Sequence, residues 1–334
     1  MLDRPPVTDE QLSTCARQSY GIDLRETTFL PIGYDANAGV FRGVATTGAY
    51  FLKVKRTPID LVSVLLPRDL HARGLTEVVA PLLTVNGENW GVIGEFALLI
   101  YPFIETRPAT RLNPEQWIAF GAALKRLHQT PLADALHPLI TQETFIPSPR
   151  CVQIIHWIES TIRTHSWTHS VKQAFAAFWI EQAVLIQQVV ERAIQLGQQL
   201  QAAVQPKLIC HADIHTGNLL VDTDGGLYIV DWDQPMLAPI ERDLLFVSDG
   251  VFWTTPEDEA QFFQGYGPVT IDPHRMAYYR YARAVEEIAE FAVQILESDS
   301  SDEALADAFH WFKAQFGPRS IIAKADQLWE VSLR

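Results

Sequence analysis

The sequence predicts an α+β protein in two lobes, a strand-rich N-terminal lobe over residues 1–102 and a mainly helical C-terminal lobe over residues 103–334. Three observations carry this expectation. The chain has 334 residues, more than one compact core usually holds. Between Phe29 and Val54, short apolar runs ("TTFLPIGYD", "AGVFRGVA", "AYFLKVK") are separated by Gly-containing breaks, the signature of antiparallel strands. After Pro102 the hydrophobic period lengthens to that of helices.

The first element, "TDEQLSTCARQSYGI", reads as a helix, with Thr8 and Gln11 as a capping box and Gly21 following the last turn. Strands follow, with turns expected at Gly33, Gly39 and Gly48. Residues 59–73 are amphipathic, but Pro67 interrupts them, so periodicity does not decide between helix and loop. "EVVAPLLTVNGENWGVIGEFALLIYPFI" reads as further strands, with a hairpin near Asn86 and Gly87. In "NPEQWIAFGAALKRLHQ", Asn113 is the expected N-cap and Pro114 the first helical residue. A long helix is expected over about 170–203, stopped by Pro206, with two more near 274–297 and 303–316. The strands expected after residue 105 all lie in 208–230.

Composition narrows the function. Hydrophobic residues make up 48% and charged residues 20%, as in folded globular chains. A net charge of −14 argues against a nucleic-acid partner, because phosphate backbones are held by clustered Lys and Arg, and it is compatible with a cationic substrate. Three separated cysteines, Cys15, Cys151 and Cys210, provide neither a disulfide framework nor a zinc pattern, so a reducing cytoplasm is expected. The start "MLDRPPVTDE" has no basic segment leading into an apolar one, and the most apolar run carries Glu95, so neither secretion nor a membrane span is expected.

The chemistry concentrates in "LICHADIHTGNLLVDTDGGLYIVDWD". If Leu219–Val221 pairs with Leu227–Val230 across the turn "DTDGG", then Asn218 and Asp231 emerge at the same end of the hairpin, with Asp213 in the loop that feeds it. An amide oxygen and a carboxylate suit a hard cation such as Mg²⁺. Asp213 then remains to orient a hydroxyl and accept its proton. Upstream, Lys53 in "AYFLKVK" follows the loop "PIGYDANAGVF", as a phosphate-binding lysine with a covering loop would.

The order of this lysine, the connector "LLIYPFIE", the helices, "HADIHTGN" and "IVDWD" resembles the aminoglycoside phosphotransferase and choline kinase branch of the protein-kinase-like fold. "HADIHTGNLLV", "YIVDWDQPMLAPIERDLLFV", "FFQGYG" and "YYRYARAVEEIAEF" are similar to the spectinomycin phosphotransferases in particular. The resemblance implies Asp213 as catalytic base, Asn218 and Asp231 as Mg²⁺ ligands and Lys53 on the phosphates of ATP. It further implies nucleotide contacts at Gly33 and, around the adenine, at Tyr101, Phe103 and Ile104. Asp243 would brace the catalytic loop. Asp233 and Glu287 are the first candidates for the ammonium groups of a substrate, ahead of Glu241, Asp249, Glu286 and Glu290. The carboxylate partner of Lys53 stays open between Asp60 and Glu77.

The expected activity is therefore ATP- and Mg²⁺-dependent transfer of a phosphoryl group to a hydroxyl of a small cationic molecule, such as the aminocyclitol spectinomycin. A kinase of a metabolite alcohol (choline, homoserine or a sugar derivative) and a catalytically silent nucleotide-binding chain remain alternatives. His165 and His169 lack a third metal ligand, and "GYGPVT" lacks the flanking strand and helix of a dinucleotide site. Nothing in the sequence addresses oligomeric state.

Overall fold

A computed structural model describes residues 4–32, 38–106, 111–248, 251, 254–298 and 301–332. Gly33 and Asp249 lie outside the described residues. In chain order the N-terminal elements are α1 (Asp9–Tyr20), β1 (Leu24–Leu30), β2 (Ala38–Ala45), β3 (Gly48–Arg56), α2 (Val62–Ala72), β4 (Gly91–Ile93), β5 (Phe96–Pro102) and α3 (Pro114–Gln129). They are followed by β6 (Thr141–Gln142), α4 (Pro149–Thr164), α5 (Ser170–Gln201), β7 (Leu208–Cys210), β8 (Leu219–Val221), β9 (Leu227–Ile229) and β10 (Met236–Ala238). The chain ends with α6 (Glu241–Leu244), α7 (Pro256–Tyr266), α8 (Pro273–Glu297), α9 (Asp302–Ala314) and α10 (Ile321–Ser332).

Two compact units form. The first comprises Met1–Thr141, His211–Met236 and Gln264–Tyr266. Its centre is a five-stranded antiparallel sheet in the order β1-β2-β3-β5-β4. Leu12 and Ala16 of α1 pack with Phe41, Leu52, Val54, Leu98 and Ile100 of the strands, a core sealed from water. The expected capping box of α1 is present, and Gly21 takes the left-handed conformation (φ 67°) that ends the helix. The buried Tyr20 hydroxyl donates to the Leu98 carbonyl at 2.6 Å and accepts from the Gly91 N–H at 3.2 Å, tying α1 to the sheet.

One open point is decided and two local expectations change. Pro67 does not break its segment: α2 runs through it, because Val64, Leu66, Pro67 and Leu70 are buried and that packing outweighs the lost backbone bond. Gly39 lies inside β2 rather than in a turn; a Cβ there would meet the Pro5 ring at 2.5 Å, so the glycine serves close approach. Asn86 and Gly87 do form a turn, closed by the Thr84 N–H donating to the Glu88 carbonyl at 3.1 Å, but it joins no strands. The reason is Arg68, whose guanidinium donates to the carbonyls of Pro81, Leu82 and Asn89 and occupies acceptors that a strand pairing would need. The hairpin instead turns at Gly94 and Glu95, between Ile93 and Phe96, which are paired across it.

The hairpin β8–β9 belongs to this first unit and is extended by a third segment. The Ile229 N–H donates to the Glu77 carbonyl at 2.7 Å, and Val78 bridges Ile229 in parallel. The chain just after α2 thus fixes the position of the hairpin.

The second unit comprises Gln142–Cys210, Leu237–Phe263 and Gly267–Arg334. Its axis is α8, packed by α4, α5, α9 and α10, with Tyr278, Tyr279 and Tyr281 buried. Helices α5, α8 and α9 match the expected spans closely. Strands β6 and β10, which join β7 in a small sheet, add to the strands expected after residue 105; they are too short for periodicity to reveal. Among the described residues no helix is long and apolar enough to cross a membrane.

Gly197 in α5 generates a stability prediction. A Cβ there would lie 2.2 Å from the Phe145 carbonyl oxygen, a backbone atom that cannot swing aside. Gly197→Ala therefore lowers stability by about 1–3 kcal/mol through overpacking, although alanine is the better helix former by about 1 kcal/mol. The check is the urea midpoint of unfolding followed by circular dichroism; an unchanged or higher midpoint contradicts the clash.

Candidate active site

The site begins with strand alternation. In "FLKVK" on β3, Leu52 and Val54 are fully buried in the core, so Lys53 and Lys55 share the opposite face. On the neighbouring β5, Leu99 pairs with Lys53 and Tyr101 with Phe51, whose rings meet edge to face at 6.2 Å. Burial, opposed by the Lys53 charge, pushes the Tyr101 phenol up to about 12, so it stays protonated. Beyond β5, the Phe103 N–H reaches the Ala49 carbonyl at 3.4 Å, and Arg42 sits 5.0 Å over the Phe103 ring. Ile104 follows it, half-buried.

The loop from His211 to Asn218 is held by side-chain hydrogen bonds. His211 is buried; its Nδ1 accepts the Asp213 N–H at 3.3 Å and its Nε2 donates to the Val230 carbonyl at 2.9 Å, which places the ring proton on Nε2. Ala212, between them, has φ 72°, a strained value for a residue with a Cβ. His215 Nδ1 accepts the Gly217 N–H at 3.0 Å, and its Nε2 lies 3.9 Å from Asp213 Oδ2. Asn218 Nδ2 donates to the Asp213 carbonyl at 2.8 Å. Only the NH₂ of an amide can make that bond, so Oδ1 is the atom turned the other way.

The hairpin has the register its sequence implies, Leu219 opposite Ile229, and the Val230 N–H donates to the Asn218 carbonyl at 3.0 Å. Asp222 shapes the turn by accepting the N–H groups of Asp224 and Gly226 and the Tyr228 hydroxyl; the Gly226 bond leads in holding its carboxyl below the usual range. Asn218 and Asp231 thus stand at one end of the hairpin. Asp231 has φ 66°, a second left-handed residue with a Cβ. The next residue, Trp232, is buried, donates from its indole N–H to the Ile229 carbonyl at 3.2 Å and packs edge to face on His211 at 4.7 Å.

Lys53 Nζ donates to Asp231 Oδ1 at 3.0 Å and to both carboxylate oxygens of Asp233, each at 3.0 Å. Lys55 Nζ donates to Asp233 Oδ2 at 2.9 Å. The Lys53 side chain is 14% exposed, that of Asp233 29% and that of Asp231 48%. Burial alone would drive the Lys53 ammonium toward neutrality, but the carboxylates of Asp233 and then Asp231 outweigh it and hold its pKa above the usual lysine value. Burial likewise opposes ionisation of Asp233, and Lys53 and Lys55 overcome it, leaving its carboxyl below the usual range.

The structure therefore brings Lys53, Asp213, Asn218, Asp231 and Asp233 into one unit, with Tyr101 and Phe103 beside β3 and Ile104 next in the chain. Oδ1 of Asn218 and the half-exposed Asp231 carboxylate would offer a magnesium ion the oxygen donors it prefers. The two carboxylates considered for Lys53 are engaged elsewhere: Asp60 accepts the Val62 N–H at 3.0 Å, and Glu77 pairs with Arg126. Lys55 is the member that sequence reasoning passed over. The signal was present as two i, i+2 pairs of opposite charge, K-x-K and D-x-D. Glu287 lies in the other unit, on α8, where Arg283 Nε donates to it at 2.8 Å. Glu241 is fully buried there against Arg275 and the Asp272 N–H, and Asp243 is buried in α6.

Residues 27–279 match the sequence profile of the phosphotransferase enzyme family. Among solved structures the chain is similar to spectinomycin phosphotransferase APH(9)-Ia in complex with ADP and spectinomycin, at 29% identity and a TM-score of 0.86 over 97% of this chain and 99% of that one. The AMP-bound complex of that enzyme is similar at 28% identity and a TM-score of 0.80, over 96% and 98% of the two chains. Choline kinase LicA from Streptococcus pneumoniae shares the fold at 13% identity and a TM-score of 0.54, over 92% and 97%. No curated protein matches the chain in sequence.

The latch through His211 is testable by substitution. His211→Ala removes the acceptor of the Asp213 N–H and the donor to Val230, which costs about 1–3 kcal/mol for buried partners left without it. Hydrogen exchange read by mass spectrometry should speed up over residues 211–218 and 230–233 while the sheet β1-β2-β3 keeps its protection. Unchanged exchange in both loop segments contradicts the latch.

Proposed function

Because the chain belongs to the phosphotransferase enzyme family, we propose that it transfers the γ-phosphate of ATP, with magnesium, to a hydroxyl of a small cationic molecule, with spectinomycin as the first candidate. The observation that carries the reaction type is the meeting of Asn218 and Asp231 at one end of β8–β9, with the Asp213 loop tied to Asn218 and Lys53 drawn to Asp231. The choice of acceptor is supported by the likeness to the spectinomycin complex across nearly the whole of both chains.

In this reading Asp213 accepts the proton of the acceptor hydroxyl as its oxygen attacks the γ-phosphorus, while the bond from that phosphorus to the β-phosphate oxygen breaks. Lys53 binds oxygens of the α- and β-phosphates, and the residues around Tyr101, Phe103 and Ile104 receive the adenine. Asn218 and Asp231 would hold the magnesium ion, which when bound offsets the charge of the phosphates. Little covalent chemistry falls to the protein itself; His211 and Trp232 contribute by keeping the loop and the end of the hairpin in register. An acceptor bearing ammonium groups suits a chain of net charge −14.

Two measurements test the proposal. ATP consumption with spectinomycin, choline and homoserine in parallel should show turnover with spectinomycin; turnover confined to choline or homoserine would move the protein to the metabolite-alcohol kinases. Asp213→Ala should lower the transfer rate by about 10²–10⁴-fold, the usual worth of a positioned base, with the affinity for ATP changed little. Transfer at a near wild-type rate in that variant would remove Asp213 from the role of base.

A further inference from the structure

A lysine on the third strand of a kinase-type sheet is ordinarily oriented by a glutamate from the helix that follows. Here that helix is α2, "VSVLLPRDLHA", which contains no glutamate. Its one carboxylate, Asp69, bonds Arg73 at 3.1 Å. The carboxylates on either side of α2, Asp60 and Glu77, are engaged with the Val62 N–H and with Arg126. What Lys53 has instead is a grip by both oxygens of Asp233.

We propose that Asp233 is the positioning residue for Lys53, supplied by the hairpin in place of the helix, and that Lys55 completes the clamp. This rests on the reading of Lys53 as the lysine that binds phosphate. The geometry separates the two aspartates that Lys53 touches. Asp231 offers it a single oxygen, is the more exposed, and stands at the hairpin end beside Asn218, where a metal ligand is needed. Asp233 offers two oxygens, is the less exposed, and is bound a second time by Lys55. Between them the buried Trp232 anchors the segment, so that Asp233 is held from its neighbour as well as from the lysines.

The clamp provides for a change of partners. Were Asp231 to hold a metal ion, Lys53 would keep a carboxylate partner in Asp233, and its three ammonium donors would allow contact with phosphate oxygens as well. Lys55 shares Oδ2 of Asp233 with Lys53, so that the aspartate keeps a second tether to β3 when Lys53 engages the nucleotide. The same assignment removes Asp233 from the candidates for recognising substrate ammonium groups, since its oxygens already serve two lysines of its own chain.

The test uses the full chain and two readouts. In the nucleotide-free protein, acetylation of Lys53 by acetic anhydride, followed by mass spectrometry, should speed up about fivefold or more in Asp233→Asn, because the amine loses its bidentate partner. In the presence of magnesium the Kd for ATP should rise about tenfold in Asp233→Asn, with the KM for spectinomycin within about twofold of wild type. Asp233→Glu should restore both readouts toward wild type, and Lys55→Met should shift both in the same direction by about two- to threefold. A rise in the KM for spectinomycin, with Lys53 acetylation and ATP affinity unchanged, would overturn the proposal and make Asp233 a substrate contact. If wild-type protein phosphorylates none of the alcohols offered, the proposed function fails, while the acetylation result still decides the clamp.

Discussion

A buried ammonium cannot stand alone in a protein interior, and the placement of Lys53 imposes that condition on everything around it. The strand that carries it must turn Leu52 and Val54 into the core, which leaves the lysine on the other face with its charge to be answered. The answer arrives from a segment almost 180 residues away in sequence, Lys53 and Asp231 being separated by 178 positions. The hairpin that delivers those carboxylates is in turn fixed by main-chain bonds to Glu77 and Val79, just beyond α2. One electrostatic requirement thus connects the sheet, the segment after α2 and the loop that presents Asp213.

The second unit solves the same problem with a different outcome. Arg192 on α5 and Tyr281 on α8 both bond Asp326 of α10, each at 2.6 Å, and Arg275 holds the fully buried Glu241. These groups are satisfied within the helices and serve to lock them in place. Glu241 is thereby fully enclosed, whereas Asp231 in the first unit is half exposed. A carboxylate enclosed with its own partner has no oxygen left for a ligand, whereas one left partly open has.

Much of this was legible in advance, for identifiable reasons. Local rules carry far: the caps at Thr8 and Asn113, the long helices α5 and α8, and the hairpin that unites Asn218 with Asp231 depend on residues close in sequence, and each forms as read. Where the structure departs from the local reading, tertiary packing overrides the local signal or, for β6 and β10, the element is too short to give one. Arg68 takes the carbonyls that would have made a strand on one side of Asn86, and burial of its neighbours carries α2 through Pro67. Proximity in sequence leaves Asp60 and Glu77 as the partners of Lys53, and the carboxylate that grips it stands on the hairpin. Glu241 shows the same limit: acidic composition marked it for a substrate, and Arg275 had claimed it.

Asp231 places two unrelated demands on a single codon. Its backbone is left-handed, which glycine, asparagine and aspartate accept most readily, and its side chain must carry negative charge toward Lys53. Glycine and asparagine meet the first demand and fail the second, whereas glutamate meets the second and fits the first poorly. Substitution at this position therefore has no stepwise route: every replacement that spares the backbone removes the charge, and the one that spares the charge strains the backbone. A residue caught between two such filters is expected to persist through sequence drift.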